Sequence, residues 1–290
     1  MSDINRNAII LAAGTSSRFV PLSYERPKGL LKVKGEILIE RQILQLKEAG
    51  IDDITIVVGY KAEMFDYLKA KFGVDLVFND DFSRYNNTSS LVRVIDRLGN
   101  TFICSSDNYF PENVFADKPR QSYYSAKYAM GKTTEYCLST DDNDFIDIVT
   151  VGGNDSWYMI GHVYFSETFS KAFGELLCRE YEKECTRYGY WEDVYISHLH
   201  ELPRMKIRRF RDHDIQEFDS LDELRQFDPT YITDSNSVIL SEIANRLNCK
   251  ESELYGFEKI KSSVDAEAFS FIKSGERFTY LVGTKELIRP

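Results

Sequence analysis

Residues 7–31 read NAIILAAGTSSRFVPLSYERPKGLL. Asn7–Ala13 is a short apolar run closed by Gly14, and it predicts a buried strand. Small residues follow (Thr15–Ser16–Ser17), then Arg18, and further on Pro27–Lys28. Small residues let backbone N–H groups wrap an anion as a nest. Arg18 offers a planar fork to phosphate oxygens, and Lys28 adds a compact charge on a flexible stem. Pro27 fixes the backbone just before that lysine. Two cations and several N–H donors thus gather at the carboxyl end of a strand, where open α/β sheets bind ligands. The bland alternative is an ordinary loop, since turns are commonly rich in Gly and Ser. The run is neither a Walker P-loop nor a G-x-G-x-x-G dinucleotide fingerprint.

Around this stretch the first hundred or so residues alternate strand and helix patterns. Ile37–Ala49 has apolar residues at helical spacing and stops at Gly50; Ile54–Val58 is a β-branched strand. Ala62–Phe72 reads as a helix, Val74–Phe78 as a strand, and Asn87 or Thr88 caps a further helix. Thr101–Cys104 is a fourth strand, running into Ser105–Ser106–Asp107. Such alternation predicts an α/β fold: a Rossmann-like, mostly parallel sheet with helices on both faces. After Asp107 four short strands are expected at Ser122–Ala129, Thr134–Ser139, Phe145–Val151 and Trp157–Phe165, a smaller β-rich insertion. A helix over Glu167–Lys183, a strand over Met205–Phe210 and a helix opening at Ser220 with S-x-x-E follow. Pro229–Asn236 reads as a linker. The expected domains are 1–232, catalytic, and 233–290, a small α+β appendage with a helix at Val238–Leu247 and two strands.

Composition excludes several classes. With 43% apolar and 28% charged residues the chain has the make-up of a folded globular protein and not of a disordered one. The balance of 36 basic and 46 acidic residues, net −10, argues against nucleic acid as a partner, which needs a basic face. No apolar stretch is long enough for a membrane span, and MSDINRN shows no basic-then-apolar leader pattern. Five scattered cysteines without C-x-x-C suggest neither a disulfide framework nor a zinc knuckle, so a cytoplasmic setting is expected. His198 and His200 lie two apart and do not share a helix face, which disfavours a metal pair.

Residues 11–28 resemble the signature L-A-A-G-x-G-[ST]-R-x-x-P-L-T-x-x-x-P-K of the nucleotidyltransferases that make sugar nucleotides and related activated alcohols. Leu11, Ala12, Ala13, Gly14, Ser17, Arg18, Pro21, Leu22, Pro27 and Lys28 match; Ser16 stands for the second Gly and Ser23 for Thr. The resemblance implies that residues 11–18 (Thr15 and Ser16 included) and Lys28 hold the triphosphate of an NTP. It also implies that Asp107, at the end of a central strand, holds Mg²⁺. Arg18, Lys28 and Asp107 are therefore the expected catalytic residues.

YNNTSSL (85–91), SSDNY (105–109), TEYCL (134–138), DSWYMIGHVYF (155–165) and YWEDVY (190–195) resemble one branch, the bacterial phosphocholine cytidylyltransferases. The likeness covers about residues 7–230. It implies CTP as nucleotide, with Asn86, Asn87, Ser89 and Ser106 near it. It implies a second metal carboxylate from Glu192 or Asp193, of which Asp193 is preferred. Adjacent helical positions point about 100° apart, so only one of the two can readily face Asp107. The acceptor is then a small phosphorylated amino alcohol. A quaternary ammonium donates no hydrogen bond and is recognised by ring faces and carboxylates. Tyr136, Trp157, Tyr190 and Trp191 are the candidate rings, with Glu135, Asp155 or Glu192 supplying charge; each ring taken singly is also a natural core residue. 2-Aminoethylphosphonate, phosphoethanolamine and a sugar 1-phosphate stay open as acceptors, as does a non-enzymatic nucleotide sensor. The tail faintly resembles the opening of a choline-kinase-like domain. No kinase activity is expected of these 290 residues, and packing element, homodimer contact or remnant all stay open.

Overall fold

The apolar run forms strand β1 (Asn7–Ala12), and its Ile9 and Ile10 are fully buried. A computed structural model describes residues 5–261 and 267–289. The first four residues, read above for a leader, and 262–266 and 290 of the tail lie outside the described residues. The described chain divides into two compact units. One holds residues 5–14 and Leu38–Glu217; the other holds Thr15–Ile37 and 218–289. Residues 15–37 and 218–232, placed in the catalytic domain on sequence grounds, thus cluster with the C-terminal tail.

The first unit is built on a seven-stranded sheet. Its strands are β1, β2 (Asp53–Val58), β3 (Asp75–Phe78), β4 (Thr101–Ser105), β5 (Tyr123–Thr140), β6 (Ile146–Phe165) and β7 (Lys206–Arg209), in the order β3-β2-β1-β4-β6-β5-β7. The first four in that order run parallel, with Ile10 opposite Ile56 and Cys104. β6 joins antiparallel, which makes the sheet mixed but mostly parallel on the side of β1. Helix α1 (Leu38–Glu48) connects β1 to β2 through its buried Leu38, Ile39, Ile43 and Leu46 face. Such a crossover is what lets two neighbouring strands run parallel.

The four short strands expected after residue 121 are two long bent ones. β5 and β6 pair along most of their length, and the pairing shifts register repeatedly. Gly131, Gly152 and Asp155 hold positive φ (78°, 77° and 52°) where the ribbon bends. Sequence reading ended strands nearby, at Ala129 and Val151, and began new ones at Thr134 and Trp157. The bends are bulges, which kink a strand and leave it continuous. On the sheet, helix α3 (Glu167–Tyr181) packs Phe169 and Phe173 against Phe165 and Trp191, with ring centroids 4.5–6.0 Å apart. Its N-cap Ser166 accepts from the Phe169 N–H, closing one of the helix's open backbone donors. Helices α2 (Asn87–Val92) and α4 (Trp191–Ser197) are short. Their sequences are too brief to show a helical period, and tertiary packing sets their ends.

The second unit contains the loop with Arg18 and Lys28, helix α5 (Leu221–Phe227), helix α6 (Val238–Arg246) and an antiparallel sheet. That sheet has four strands, β8 (Tyr255–Ile260), β9 (Ala268–Lys273), β10 (Glu276–Leu281) and β11 (Glu286–Ile288), against two expected. The stretch read as a linker carries a short helix at Thr230–Thr233. Tyr24, following the anion loop, donates its hydroxyl to the Ala268 carbonyl, and the Ile239 N–H donates to Glu25. Loop and tail therefore share one packing unit.

Gly59, just after β2, shows how tightly the strand ends are packed. A Cβ there would sit 2.6 Å from the Phe82 Cβ and 2.9 Å from the Ala13 carbonyl oxygen. At Gly14 a Cβ would meet nothing within 4 Å. Gly59→Ala is expected to lower unfolding free energy in a urea titration by about 1–3 kcal/mol. Gly14→Ala is expected to stay within about 0.5 kcal/mol of the parent.

Candidate active site

In the second unit the loop after Gly14 bends through Ser16, whose φ is 50° and whose carbonyl accepts from the Phe19 N–H at 2.8 Å. That left-handed backbone is the conformation glycine adopts without cost. The serine standing for the signature's glycine therefore changes the residue type and keeps the bend. Arg18 is 76% exposed, whereas Lys28 is 7% exposed and lies over the Phe19 ring at 5.7 Å. Both cations face one carboxylate: Arg18 Nη1 is 2.7 Å from Asp219 Oδ2, and Lys28 Nζ is 4.0 Å from Asp219 Oδ1. The structure thus brings Arg18 and Lys28 together around an anion. Asp219 itself, two residues after Glu217 and just ahead of a helix, was not singled out by sequence reading. Its backbone N–H donates to Glu223 in the first turn of α5, while Ser220 caps the same turn.

In the first unit Asp107 sits on the turn after β4. Gln42 of α1, buried, donates to the carbonyls of Ser105 and Asn108 at 2.8 and 2.9 Å and so pins that turn. The Ser106 N–H donates to the Leu11 carbonyl, tying the turn to the end of β1. Tyr109 and Gln216 exchange backbone hydrogen bonds, and Asn108 donates to Glu217 at 3.3 Å. Glu217, missed by sequence reading, is brought there by a single isolated bridge that no strand pattern announces.

A second corner of this unit surrounds Glu192. Asn87 donates to Glu192 at 3.2 Å and accepts from the Trp191 N–H at 2.9 Å. Tyr124 donates its hydroxyl to Glu192 at 3.2 Å and stacks on Trp191. Burial raises the Glu192 carboxyl from 4.5 to about 7, against these hydrogen bonds, which favour the charged form. The negative charges of Glu192 and Glu217 both reach Tyr124, whose hydroxyl burial has already pushed well up. Beside them Tyr136 donates to Asp193 at 2.6 Å and the Tyr190 N–H donates to Asp193 at 2.8 Å.

Several expected residues have other tasks. Trp191 is 2% exposed, wedged among Tyr124, Phe165 and Phe173, so it offers no ring face to a ligand. Ser89 is fully buried, donating to the Asn86 carbonyl and accepting from Asn79. Asn86 caps α2, and Asn87 spends its amide on Trp191 and Glu192. Asp155 accepts from the Gly131 N–H across the bent ribbon, and Trp157 already carries the Arg209 guanidinium 5.4 Å from its ring centroid. Glu135 is exposed on the same ribbon. Asp193 accepts from the Tyr190 N–H at the first turn of α4 with one oxygen and from Tyr136 with the other. Asp107 suits a hard divalent ion better: it is an oxygen donor on a pinned turn, and Mg²⁺ takes one or two carboxylates plus substrate phosphates. Among the described residues no three His, Cys, Asp or Glu side chains group to hold a metal by themselves.

Comparison with known proteins matches residues 8–130 to the MobA-like NTP transferase domain. A choline-phosphate cytidylyltransferase of Streptococcus pneumoniae is 34% identical over 221 residues, covering 76% of this chain and 96% of that protein. A 2-aminoethylphosphonate cytidylyltransferase of Lancefieldella rimae is 36% identical over 230 residues, covering 78% of this chain and 93% of that protein. The solved structure of CTP:phosphocholine cytidylyltransferase from S. pneumoniae (LicC) aligns with a TM-score of 0.75 at 33% identity, over 78% of this chain and 99% of that one. The chain belongs to the bacterial choline-phosphate cytidylyltransferase family.

As a nucleotidyltransferase of this family the protein carries the mixed sheet and the anion loop on one chain with the acid–aromatic corner. Among the described residues no helix is long and apolar enough to cross a membrane. The corner's acid also makes stability depend on pH. Between pH 4.5 and about 7 the folded protein holds a proton on Glu192 that the unfolded chain has released. Glu192's contribution to stability is thus complete below 4.5 and is lost as pH rises to about 7, with a slope of at most about 1.4 kcal/mol per pH unit. Glu192→Gln is expected to melt about 2–4 °C above the parent at pH 8 and level with it at pH 4.5, by differential scanning fluorimetry. An equal offset at both values would exclude a proton held by Glu192.

Proposed function

We propose that this enzyme transfers CMP from CTP to phosphocholine, giving CDP-choline and pyrophosphate, with Mg²⁺ as its metal. The observation that carries the reading is Glu192, a half-buried carboxylate poised at about 7 that accepts from Tyr124, next to Asp193, which accepts from Tyr136 and the Tyr190 N–H. A neighbouring cation draws such an acid to its charged form, and a quaternary ammonium has no hydrogen-bond donor with which to choose a partner otherwise. Glu217 adds negative charge near the same tyrosine. A sugar would need more hydrogen-bonding groups than this corner presents.

The phosphate oxygen of the acceptor attacks the α-phosphorus of CTP, and the bond to the β-phosphate oxygen breaks as pyrophosphate leaves. The acceptor's second pKa is about 6, so at neutral pH it is largely a dianion and needs no general base. The difficulty is repulsion between two anions. Arg18 forks onto phosphate oxygens from an exposed position; Lys28, nearly buried, keeps its charge poorly screened by water and so acts more strongly. Bound Mg²⁺, for which Asp107 is the carboxylate we assign, supplies Lewis-acid neutralisation of phosphate charge. Asp193 keeps Tyr136 and the start of α4 in place beside Glu192.

Pyrophosphate release with each of four NTPs against phosphocholine, phosphoethanolamine, 2-aminoethylphosphonate and glucose 1-phosphate tests this reading. CTP with phosphocholine is expected to give the highest kcat/KM. The second reading, CMP transfer to 2-aminoethylphosphonate, is favoured by the L. rimae relative, and it predicts the maximum in that well. A maximum with glucose 1-phosphate would refute both. Lys28→Ala is expected to lower kcat about 100-fold or more with a smaller change in the KM for CTP; unchanged turnover would remove Lys28 from the mechanism. Glu192→Gln is expected to raise the KM for phosphocholine about tenfold and to abolish its fall as pH rises through about 7.

A further inference from the structure

Asn87 opens helix α2 in the first unit, and its side chain reaches across to the start of α4. The amide oxygen accepts from the Trp191 N–H at 2.9 Å. That bond fixes which end of the amide faces which way, so the NH₂ end is turned to Glu192 and donates to its Oε2 at 3.2 Å. The other carboxylate oxygen, Oε1, takes the Tyr124 hydroxyl at 3.2 Å. Both oxygens of Glu192 are thus engaged, one from α2 and one from β5, and the carboxylate cannot turn without losing a partner. The start of α2 is itself held on either side of Asn87. The Asn86 N–H donates to the Arg187 carbonyl at 3.1 Å, and the Thr88 hydroxyl donates to the Gly189 carbonyl at 2.6 Å. We infer that Asn87 is a positioning residue of the acceptor site: it sets the direction in which Glu192 presents its negative charge, and with it the affinity for the acceptor's ammonium. The inference rests on the reading of Glu192 as that ammonium's partner.

The chemistry of the acceptor makes such a residue matter. A quaternary ammonium offers no N–H with which to pull a carboxylate into line, so the carboxylate must already be aimed when the ligand arrives. A free glutamate side chain would have to be frozen at that moment, and the lost rotamer freedom would weaken binding. Asn87 and Tyr124 freeze it beforehand. An N–H donor on a carboxylate makes a charge-assisted bond, stronger than a bond between neutral groups, and both Asn87 and Glu192 are half-buried, where water screens it less. Asp193, next in the chain, takes Tyr136 and the Tyr190 N–H, so the Asn87 amide and the Tyr136 hydroxyl each hold a different acid. The two bonds of the Asn87 side chain therefore both run to the helix that carries the acceptor's acid.

The test is a double-mutant cycle on the steady-state kinetics of the full chain with CTP, Mg²⁺ and phosphocholine. Asn87→Asp keeps an oxygen for the Trp191 N–H, and a carboxylate in the first turn of a helix is well tolerated. It loses the donor and sets a like charge against Glu192. It is expected to raise the KM for phosphocholine about tenfold, with changes of less than about threefold in kcat and in the KM for CTP. In the Glu192→Gln background the same substitution is expected to change that KM less than about twofold, because a neutral amide has no charge to aim or to repel. Asn87→Ser, which loses both bonds, is the second variant and is expected to show the same dependence on Glu192; melting temperature reports whether each variant keeps its fold. A rise in the KM for CTP as large as that for phosphocholine, or costs that simply add in folded variants, would overturn the proposal. With a parent that prefers 2-aminoethylphosphonate the cycle is read on that acceptor. A parent that prefers glucose 1-phosphate removes the ammonium reading, and the role of Asn87 falls with it. Additive costs on an ammonium acceptor remove Asn87 alone.

Discussion

In the proposed mechanism, the attraction between two cations and an anion is the interaction on which the remaining chemistry depends. Arg18 and Lys28 are unlike each other by design of their surroundings: one lies in water, the other over Phe19 and nearly enclosed. A solvated guanidinium is suited to capturing a phosphate and letting it go. An ammonium shielded from water exerts a field that is worth more at the moment charge spreads. Within their own unit, the segment that carries both is tied to the C-terminal sheet by Tyr24 and to helix α6 by Glu25. A tail with no catalytic assignment is in this way part of what shapes the loop.

In the proposed mechanism the acceptor side works by a different balance. Glu192 is held where burial outweighs hydrogen bonding and lifts its carboxyl to about 7, so a neighbouring positive charge tips its protonation. The corner around it is rigid for reasons of packing: Trp191 anchors it from within the core, Asn87 ties two segments distant in sequence, and Asp193 fastens Tyr136. Recognition of an ammonium then relies on a preset negative field and ring faces, and such a site loses little when a methylated amine replaces a protonated one. Relatives of this chain include a choline-phosphate and a 2-aminoethylphosphonate cytidylyltransferase.

Much of the first unit was legible because its signals are local. The β1 run, the Ile39/Ile43/Leu46 face and the Gly50 stop are each written within one element, and the helix and strand appear where those signals put them. Arg18 and Lys28 stand out in the sequence for the same reason, and the structure sets both near Asp219. What sequence could not supply was partnership over distance. Trp191 and Tyr190 look alike as aromatic neighbours of acids, yet one is sealed under Tyr124 and the other half exposed; only the stacking decides. Asp155, read as one source of charge for a cation, accepts from the Gly131 N–H across the bent ribbon, a partner that no local pattern announces. Glu217 and Asp219 belong to no motif, since one is placed by a lone bridge to Tyr109 and the other by the cap of α5.

The claim at the centre is that two phosphoryl groups are brought together and that the acceptor's oxygen forms the new bond to the α-phosphorus. Phosphocholine carrying ¹⁸O in its phosphate, incubated with CTP, Mg²⁺ and the enzyme and followed by phosphorus NMR, reads this directly. The account predicts that the label shift appears on both phosphorus atoms flanking the bridge of CDP-choline, and that the released pyrophosphate is free of ¹⁸O. Label in pyrophosphate, or consumption of CTP without a labelled diphosphate bridge, would contradict it.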